Sequence, residues 1–279
     1  MSDRSILASY AHPDDEQGVS GTLRMYLEQG VRTAILCATR GEVGEIADPS
    51  LATPETLGEV REQELRTAAK ILGVPLVYFL DYRDSGMAGT DPNKDPRAFI
   101  NANEDEAVGR IVKIMRDFKP TIVVTFDETG GYGHPDHIAI HHWTIHAFHA
   151  SGDPKRYPEA GPAFAPSRLY YASIPRSARK TMGDLLEKLG IQSVFSAIPA
   201  DKFGMPDELI TNRVPVKPYV TLKRDSLNAH KTQLNPNGPF AKIPDEMWDE
   251  WRGTETFAFA AGTPLPPGSD PADLFAGLR

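Results

Sequence analysis

Directly after the apolar run Ile6-Leu7-Ala8-Ser9-Tyr10, the chain reads Ala11-His12-Pro13-Asp14-Asp15-Glu16. A buried strand that ends in a histidine and three carboxylates carries charge to the edge of a core, which is costly unless a cation offsets it. A second apolar run, Thr121-Ile122-Val123-Val124-Thr125-Phe126, precedes Gly130-Gly131-Tyr132-Gly133-His134-Pro135-Asp136-His137. Two strand ends, each followed by His and Asp, read as one divalent metal site assembled across a sheet.

The pattern around these clusters sets the fold class. Strands are expected at 5–10, 32–38, 75–80 and 120–126. Between them, Leu57, Val60, Leu65, Ala68, Ala69 and Leu72 recur at helical spacing and stop at Gly73. Val108, Ile111, Val112, Met115 and Phe118 do the same, with Asn103 placed as N-cap. Near-continuous apolar strands separated by helices point to an α/β fold, a largely parallel Rossmann-like sheet with helices on both faces. Ligands in such folds bind beyond the carboxyl ends of the strands, where both charged clusters fall. After 150 the pattern weakens: 151–166 reads as a loop, Leu169–Ile174 as a strand, Met182–Leu189 as a short helix, 211–218 as extended and 219–233 as helical. The tail 262–279 reads as irregular until a last turn. The expectation is a single domain over 1–279, with a core in 1–150 and a C-terminal elaboration in 151–279.

Composition narrows the partners. A net charge of −8 with no Lys/Arg run argues against nucleic acid and leaves a small molecule as the expected partner. Cys37 is the one cysteine, so neither an intrachain disulfide nor a thiolate metal cage can form. No signal peptide or membrane-length apolar stretch is read, so the expected location is cytoplasmic with no membrane partner; a homo-oligomer is compatible with the chain.

Three protein ligands plus water make up the usual catalytic zinc site. His12 and Asp15, three residues apart, can share one ion, and His137 can supply the third ligand. Asp14, adjacent to a ligand, is placed to take a proton from a water that the ion acidifies. His134 is the best candidate for an acid toward a departing amine, and Tyr132 for a donor to the oxyanion. Zinc is the expected metal, with Fe2+ also accepted by such donors.

These motifs resemble the PIG-L/LmbE family of zinc-dependent N-acetylglucosaminyl deacetylases, most closely its mycothiol-pathway branch. The likeness extends through Arg83-Asp84-Ser85-Gly86-Met87-Ala88-Gly89-Thr90, covers roughly 5–150, and beyond that reaches only Ala229-His230-Lys231-Thr232-Gln233. The resemblance implies His12, Asp15 and His137 as metal ligands, Asp14 as general base, His134 oriented by Asp136, and Tyr132 as the oxyanion donor. It further implies Arg61 and Asp84 as sugar-binding residues. The implied activity is removal of acetate from an N-acetylglucosaminyl conjugate of the inositol or malate type.

Other readings stand beside this one. An amidase acting on mycothiol-type S-conjugates would keep the mechanism and move the cleaved bond. A sugar-binding regulator would have no use for a base beside the ligands. A dinucleotide-dependent dehydrogenase is excluded because no Gly-x-Gly-x-x-Gly follows the first strand. His141, His142, His146 and His149 read as ordinary helix-face residues, Glu42 and Glu45 as solvated loop charges, His230 as structural or rim, and Cys37 as a small buried apolar residue.

Overall fold

The computed structural model describes residues 3–188, 204–235, 238 and 243–278. Strand β1 (Ser5–Tyr10) is buried at every position. The chain continues through α1 (Ser20–Glu28), β2 (Arg32–Thr39), α2 (Leu57–Leu72), β3 (Leu76–Tyr82), α3 (Glu104–Phe118) and β4 (Ile122–Thr125). There follow a single turn, α4 (Gly130–Gly133), then α5 (Pro135–Ala150), β5 (Arg168–Ala172), α6 (Arg176–Lys188), β6 (Asn212–Pro215), α7 (Val220–Leu227), α8 (Asp245–Arg252) and β7 (Thr254–Gly262).

The strands form one seven-stranded sheet in the order β3-β2-β1-β4-β5-β7-β6. All pairings from β3 to β5 are parallel, while β7 runs antiparallel to both its neighbours. Alternation along each strand feeds two cores. Leu7, Leu36, Val123 and Leu169 meet Val108, Ile111 and Met115 of α3 and Ile140 and Trp143 of α5. Ile6, Ala8, Ile35 and Val124 meet Leu23 of α1, Leu72 of α2 and the tail residues Leu274 and Phe275. The helix limits have local causes. Gly73 takes the left-handed C-cap conformation at φ 80°, and the Asn103 side chain accepts the Glu106 amide at 3.1 Å.

β1 and β4 are neighbours, with Ile6 opposite Ile122 and Ala8 opposite Val124. Their carboxyl ends therefore deliver 11–16 and 126–137 side by side, which brings the two clusters together. Elsewhere the structure departs from expectation. β7 lies in a stretch read as nothing in particular and slots between β5 and β6. Helix α7 stops at Leu227 instead of continuing to 233, because His230 and Thr232 turn inward to Glu16 and Glu64. The expected short helix begins earlier, at Arg176, and its last expected residue, Leu189, lies outside the described residues. No helix among the described residues is long and apolar enough to cross a membrane.

The irregular tail is held by one side chain. Arg168, fully buried at the start of β5, donates to the carbonyls of Thr263 (2.8 Å), Leu274 (2.8 Å), Ala276 (3.1 Å) and Pro264 (3.3 Å). Arg168→Met leaves these acceptors without their charged donor, and about 3 kcal/mol of stability is expected to be lost. Urea unfolding of metal-loaded protein measures this; a change below about 1 kcal/mol would show the staple to be idle.

Candidate metal centre

Residues 11–16 leave β1 in a tight turn anchored by the Ala11 carbonyl, which accepts the Thr39 amide at 2.9 Å. Asp15 folds back on this turn: its Oδ2 accepts the amides of Ala11 (3.2 Å) and His12 (2.7 Å). Its Oδ1 then faces the neighbouring strand end, 3.3 Å from His137 Nε2. His137 stands in the first turn of α5, whose N-cap is His134 and whose first residue is Pro135. The Phe126 ring stacks on His137 at 4.1 Å between centroids, and His137 Nδ1 lies 3.0 Å from the Gly130 carbonyl. Gly130 has φ +62°, and a Cβ there would stand 2.6 Å from that of His137, so both conformation and close approach require glycine.

These contacts fix the tautomers. His137 donates from Nδ1 to the carbonyl, which leaves Nε2 bare. His12 Nε2 lies 3.2 Å from Asp136 Oδ2 and 3.5 Å from Asp84 Oδ1, so it carries a proton and leaves Nδ1 as the candidate ligating nitrogen. The two candidate nitrogens face one another at 3.1 Å, and Asp15 Oδ2 stands 3.6 Å from His12 Nδ1. Three donors about 2.1 Å from one tetrahedral centre lie ~3.4 Å apart. His12 and His137 keep near that spacing, and Asp15 meets them through separate oxygens, Oδ2 toward His12 and Oδ1 toward His137, so the three side chains surround one point as candidate donors for a divalent ion.

Among the described residues, the groups whose candidate donor atoms all lie within 4.8 Å of one another are His12 with His134 and His137, and His12 with Asp84 and Asp136. In the second, His12 Nε2 is hydrogen-bonded to Asp136 Oδ2, while Asp136 Oδ1 is buried without a partner. Burial opposes ionisation of Asp15 and of Asp84, yet the imidazoles of His137 and His12 respectively outweigh it and hold both carboxyls below the usual range. Burial likewise disfavours the charged form of His12, but Asp136 and Asp84 outweigh it and raise its proton affinity.

Asp14 occupies a left-handed backbone conformation at φ 100°, uncommon for any residue but glycine. Its Oδ2 lies 3.2 Å from the Arg61 guanidinium. Burial lifts the Asp14 carboxyl above its ordinary value, with Arg61 opposing. Arg61 itself is buried and donates to the carbonyls of Pro13 (2.7 Å) and Gly41 (3.0 Å). Gly41 makes room for it, since a Cβ at that position would fall 2.0 Å from Nη1.

Tyr132 sits at the rim, 38% exposed, its ring 5.0 Å from that of His137. Partial burial and the carboxylates of Asp15, Asp14 and Asp84 push its phenol well above the ordinary value, so it keeps its proton as a donor. Its loop hangs on Asp127, whose Oδ1 accepts Thr129 N (3.0 Å) and Gly131 N (3.2 Å) and whose Oδ2 accepts Ser173 Oγ (2.6 Å). His134 is buried, and burial, with His12 and His137 beside it, lowers its pKa to about 4. Its Nδ1 accepts the Asp136 amide at 3.2 Å, so its single proton sits on Nε2.

The expected site residues therefore gather, but several face other partners than the resemblance implied. The Asp136 carboxylate bears on His12 and on the Ser85 amide (2.9 Å), and meets His134 through its backbone N–H. Arg61 addresses Asp14. Asp84, buried, accepts the amides of Gly86 (2.8 Å) and Val43 (3.3 Å) besides facing His12. Both are engaged in supporting the cluster. His141 spends its Nδ1 on the Phe126 carbonyl at 2.8 Å. Glu42 is no free loop charge: it accepts the Asp84 amide at 3.0 Å. Asp127 and Glu16 escaped the sequence reading; the run Asp127-Glu128-Thr129-Gly130 carries an Asx-turn signature that could have revealed the first.

Comparison with known proteins adds an independent line. The profile of the family described as GlcNAc-PI de-N-acetylase (PIG-L) matches residues 7–148. A protein of Geodermatophilus obscurus named 1D-myo-inositol 2-acetamido-2-deoxy-alpha-D-glucopyranoside deacetylase is 38% identical over 99% of this chain and 98% of its own length. The similarity thus runs well past 150, beyond the span recognisable from motifs. Among solved structures, N,N'-diacetylchitobiose deacetylase from Pyrococcus horikoshii superposes with a TM-score of 0.61 at 21% identity, covering 92% of this chain and 84% of that one. The 4-carboxy-2-hydroxymuconate hydratase of Pseudomonas putida KT2440 shares the fold with a TM-score of 0.62 at 17% identity, covering 95% of this chain and 100% of that one.

Proposed function

The chain belongs to the GlcNAc-PI de-N-acetylase family of deacetylases, and on that premise we propose that it hydrolyses the acetamide of N-acetylglucosaminyl-inositol, with zinc held by His12, Asp15 and His137. The observation that carries this reading is the facing pair of ligating nitrogens beside the Asp15 carboxylate, with Asp14 next to them in the chain. A divalent ion at that position supplies Lewis acidity toward the acetamide oxygen and acidifies a water.

The side chains divide the remaining work. Arg61 engages Asp14 Oδ2, which leaves Oδ1 to take the proton of the attacking water. Tyr132 donates its hydroxyl hydrogen to the oxygen on which charge develops. His134 enters as a neutral ring with its proton on Nε2, a hydrogen-bond donor at the reacting centre. Beside the reacting centre it is the candidate donor to the departing amine. Asp136 and Asp84 hold His12 in its tautomer, an outer-shell role that for Asp84 stands beside the expected sugar contact.

The whole chain is read as one domain, since β5, β7 and β6 extend the sheet that carries the site. A cytoplasmic location and a small-molecule partner fit the family and the single buried cysteine. Amine release from N-acetylglucosaminyl-inositol, its malate counterpart and a mycothiol-type S-conjugate, with and without chelator, tests the proposal. Chelator-sensitive release is expected to be fastest from the inositol glycoside. Preference for the S-conjugate would overturn the substrate, and release that survives complete metal removal would overturn the mechanism.

A further inference from the structure

The segment Ala229–Gln233 approaches the Asp14 turn from the far half of the chain. His230 is fully buried, and its Nε2 lies 2.8 Å from Glu16 Oε1. Glu16, itself buried, accepts the Asp14 amide on its other oxygen at 3.0 Å. Gln17 Nε2 joins the same arrangement, donating to Glu16 Oε1 at 2.7 Å and to Ser226 Oγ at 2.9 Å. Two residues beyond His230, Thr232 donates from its amide (2.8 Å) and hydroxyl (2.6 Å) to the two oxygens of Glu64. Glu64 stands three residues after Arg61 on α2, and so shares its face of the helix.

The segment thus bears on Asp14 by two routes, through Glu16 to its backbone and through α2 and Arg61 to its carboxylate. A non-glycine residue in a sparsely populated conformation persists only where its surroundings over-determine it. At Asp14 the buried Glu16–His230 pair supplies part of that constraint, and it lies directly behind the group that must meet the attacking water.

We propose that His230 is a positioning residue for the hydrolysis: through Glu16 it fixes the left-handed backbone of Asp14 and so the place of the Asp14 carboxylate. This rests on the reading of Asp14 as the base. A buried pair that only held the C-terminal half in place would affect folding, metal affinity and turnover together. A positioning pair acts on turnover alone, because misplacing a reacting group by about 1 Å can cost on the order of 10²-fold.

The test compares His230→Leu with His230→Gln, whose side-chain amide can still donate to Glu16. In the full-length, zinc-loaded protein, His230→Leu is expected to lower kcat about 10- to 100-fold. KM and zinc affinity, the latter from competition with a chromophoric chelator, are expected to stay within about threefold of the parent. His230→Gln is expected to recover most of the loss. In the full-length protein stripped of metal, amide exchange of the peptide spanning 11–17 is expected to quicken in His230→Leu and not in His230→Gln. Should His230→Leu fail to fold, Glu16→Gln takes its place, since one amide cannot accept from both the Asp14 amide and His230.

An unaltered kcat with unaltered exchange would overturn the proposal. A parallel fall in kcat, zinc affinity and thermal stability would overturn it in favour of a purely architectural pair. Faster exchange with unaltered kcat would place the clamp correctly and overturn Asp14 as the group it serves.

Discussion

An Asp14→Asn variant is expected to keep its metal and release acetate about 10³-fold more slowly than the parent, the usual worth of a positioned general base. Asparagine is the informative substitution. Like aspartate it tolerates the left-handed conformation found at φ 100°, and its carbonyl oxygen can still accept from Arg61. Alanine would add roughly 1–2 kcal/mol of backbone strain and confound chemistry with geometry. The measurement is kcat alongside zinc stoichiometry in the same preparation. Turnover within about tenfold of the parent would remove Asp14 from the base position, and loss of zinc would make it a ligand or a support for one.

His137→Ala is expected to lose the ion itself. Zinc sites with four protein ligands contribute about 10–16 kcal/mol of binding, or ~3 kcal/mol for each ligand, so one deletion weakens binding by about two orders of magnitude. Activity should vanish at limiting zinc and return only partially at high zinc. Asp84→Asn makes the instructive comparison, because Asp84 faces the opposite nitrogen of His12. Its loss should weaken zinc binding by about 10-fold, at the low end of the range for outer-shell partners. The reverse order, with Asp84→Asn the more damaging, would put the ion on the Nε2 side of His12.

What could be read from the sequence was whatever the chain writes locally. β1 and β4 announce themselves as apolar runs that stop abruptly at histidine and aspartate. Their adjacency follows from the logic of a parallel sheet, so a candidate donor set could be proposed before any geometry was known. β7 could not be read in the same way. Its buried residues, Glu255 and the adjacent pair Phe257 and Ala258, follow no two-residue alternation, and its neighbours in the sheet lie some 80 and 40 residues away in the chain. Side-chain orientation was also out of reach. Asp136 precedes His137 and follows His134 by two residues, yet its carboxylate turns to His12, because the first turn of α5 hands only its amide to His134. Arg61 illustrates a third limit: a helical arginine beside Glu62 and Glu64 gives no sign that Gly41 has vacated a channel for it.

The fold by itself would not have decided the chemistry, since a hydratase shares it. What points to deacetylation is the family to which the chain belongs and a relative, 38% identical over 98% of its own length, that is named a deacetylase.

The order of strands also bears on how the protein is made. β5 can meet β4 once both have left the ribosome, but its other edge is reserved for β7, about 80 residues further on. At 5–20 residues per second, that edge waits roughly 4–16 s for its partner. During the wait the Arg168 guanidinium has none of the carbonyls that will surround it, and β6 is made before the strand it must flank. An unpaired strand edge invites pairing with other chains. Slower synthesis lengthens that interval, whereas a lower concentration of nascent chains makes such an encounter rarer, so yield of native protein should respond more to expression level than to translation rate.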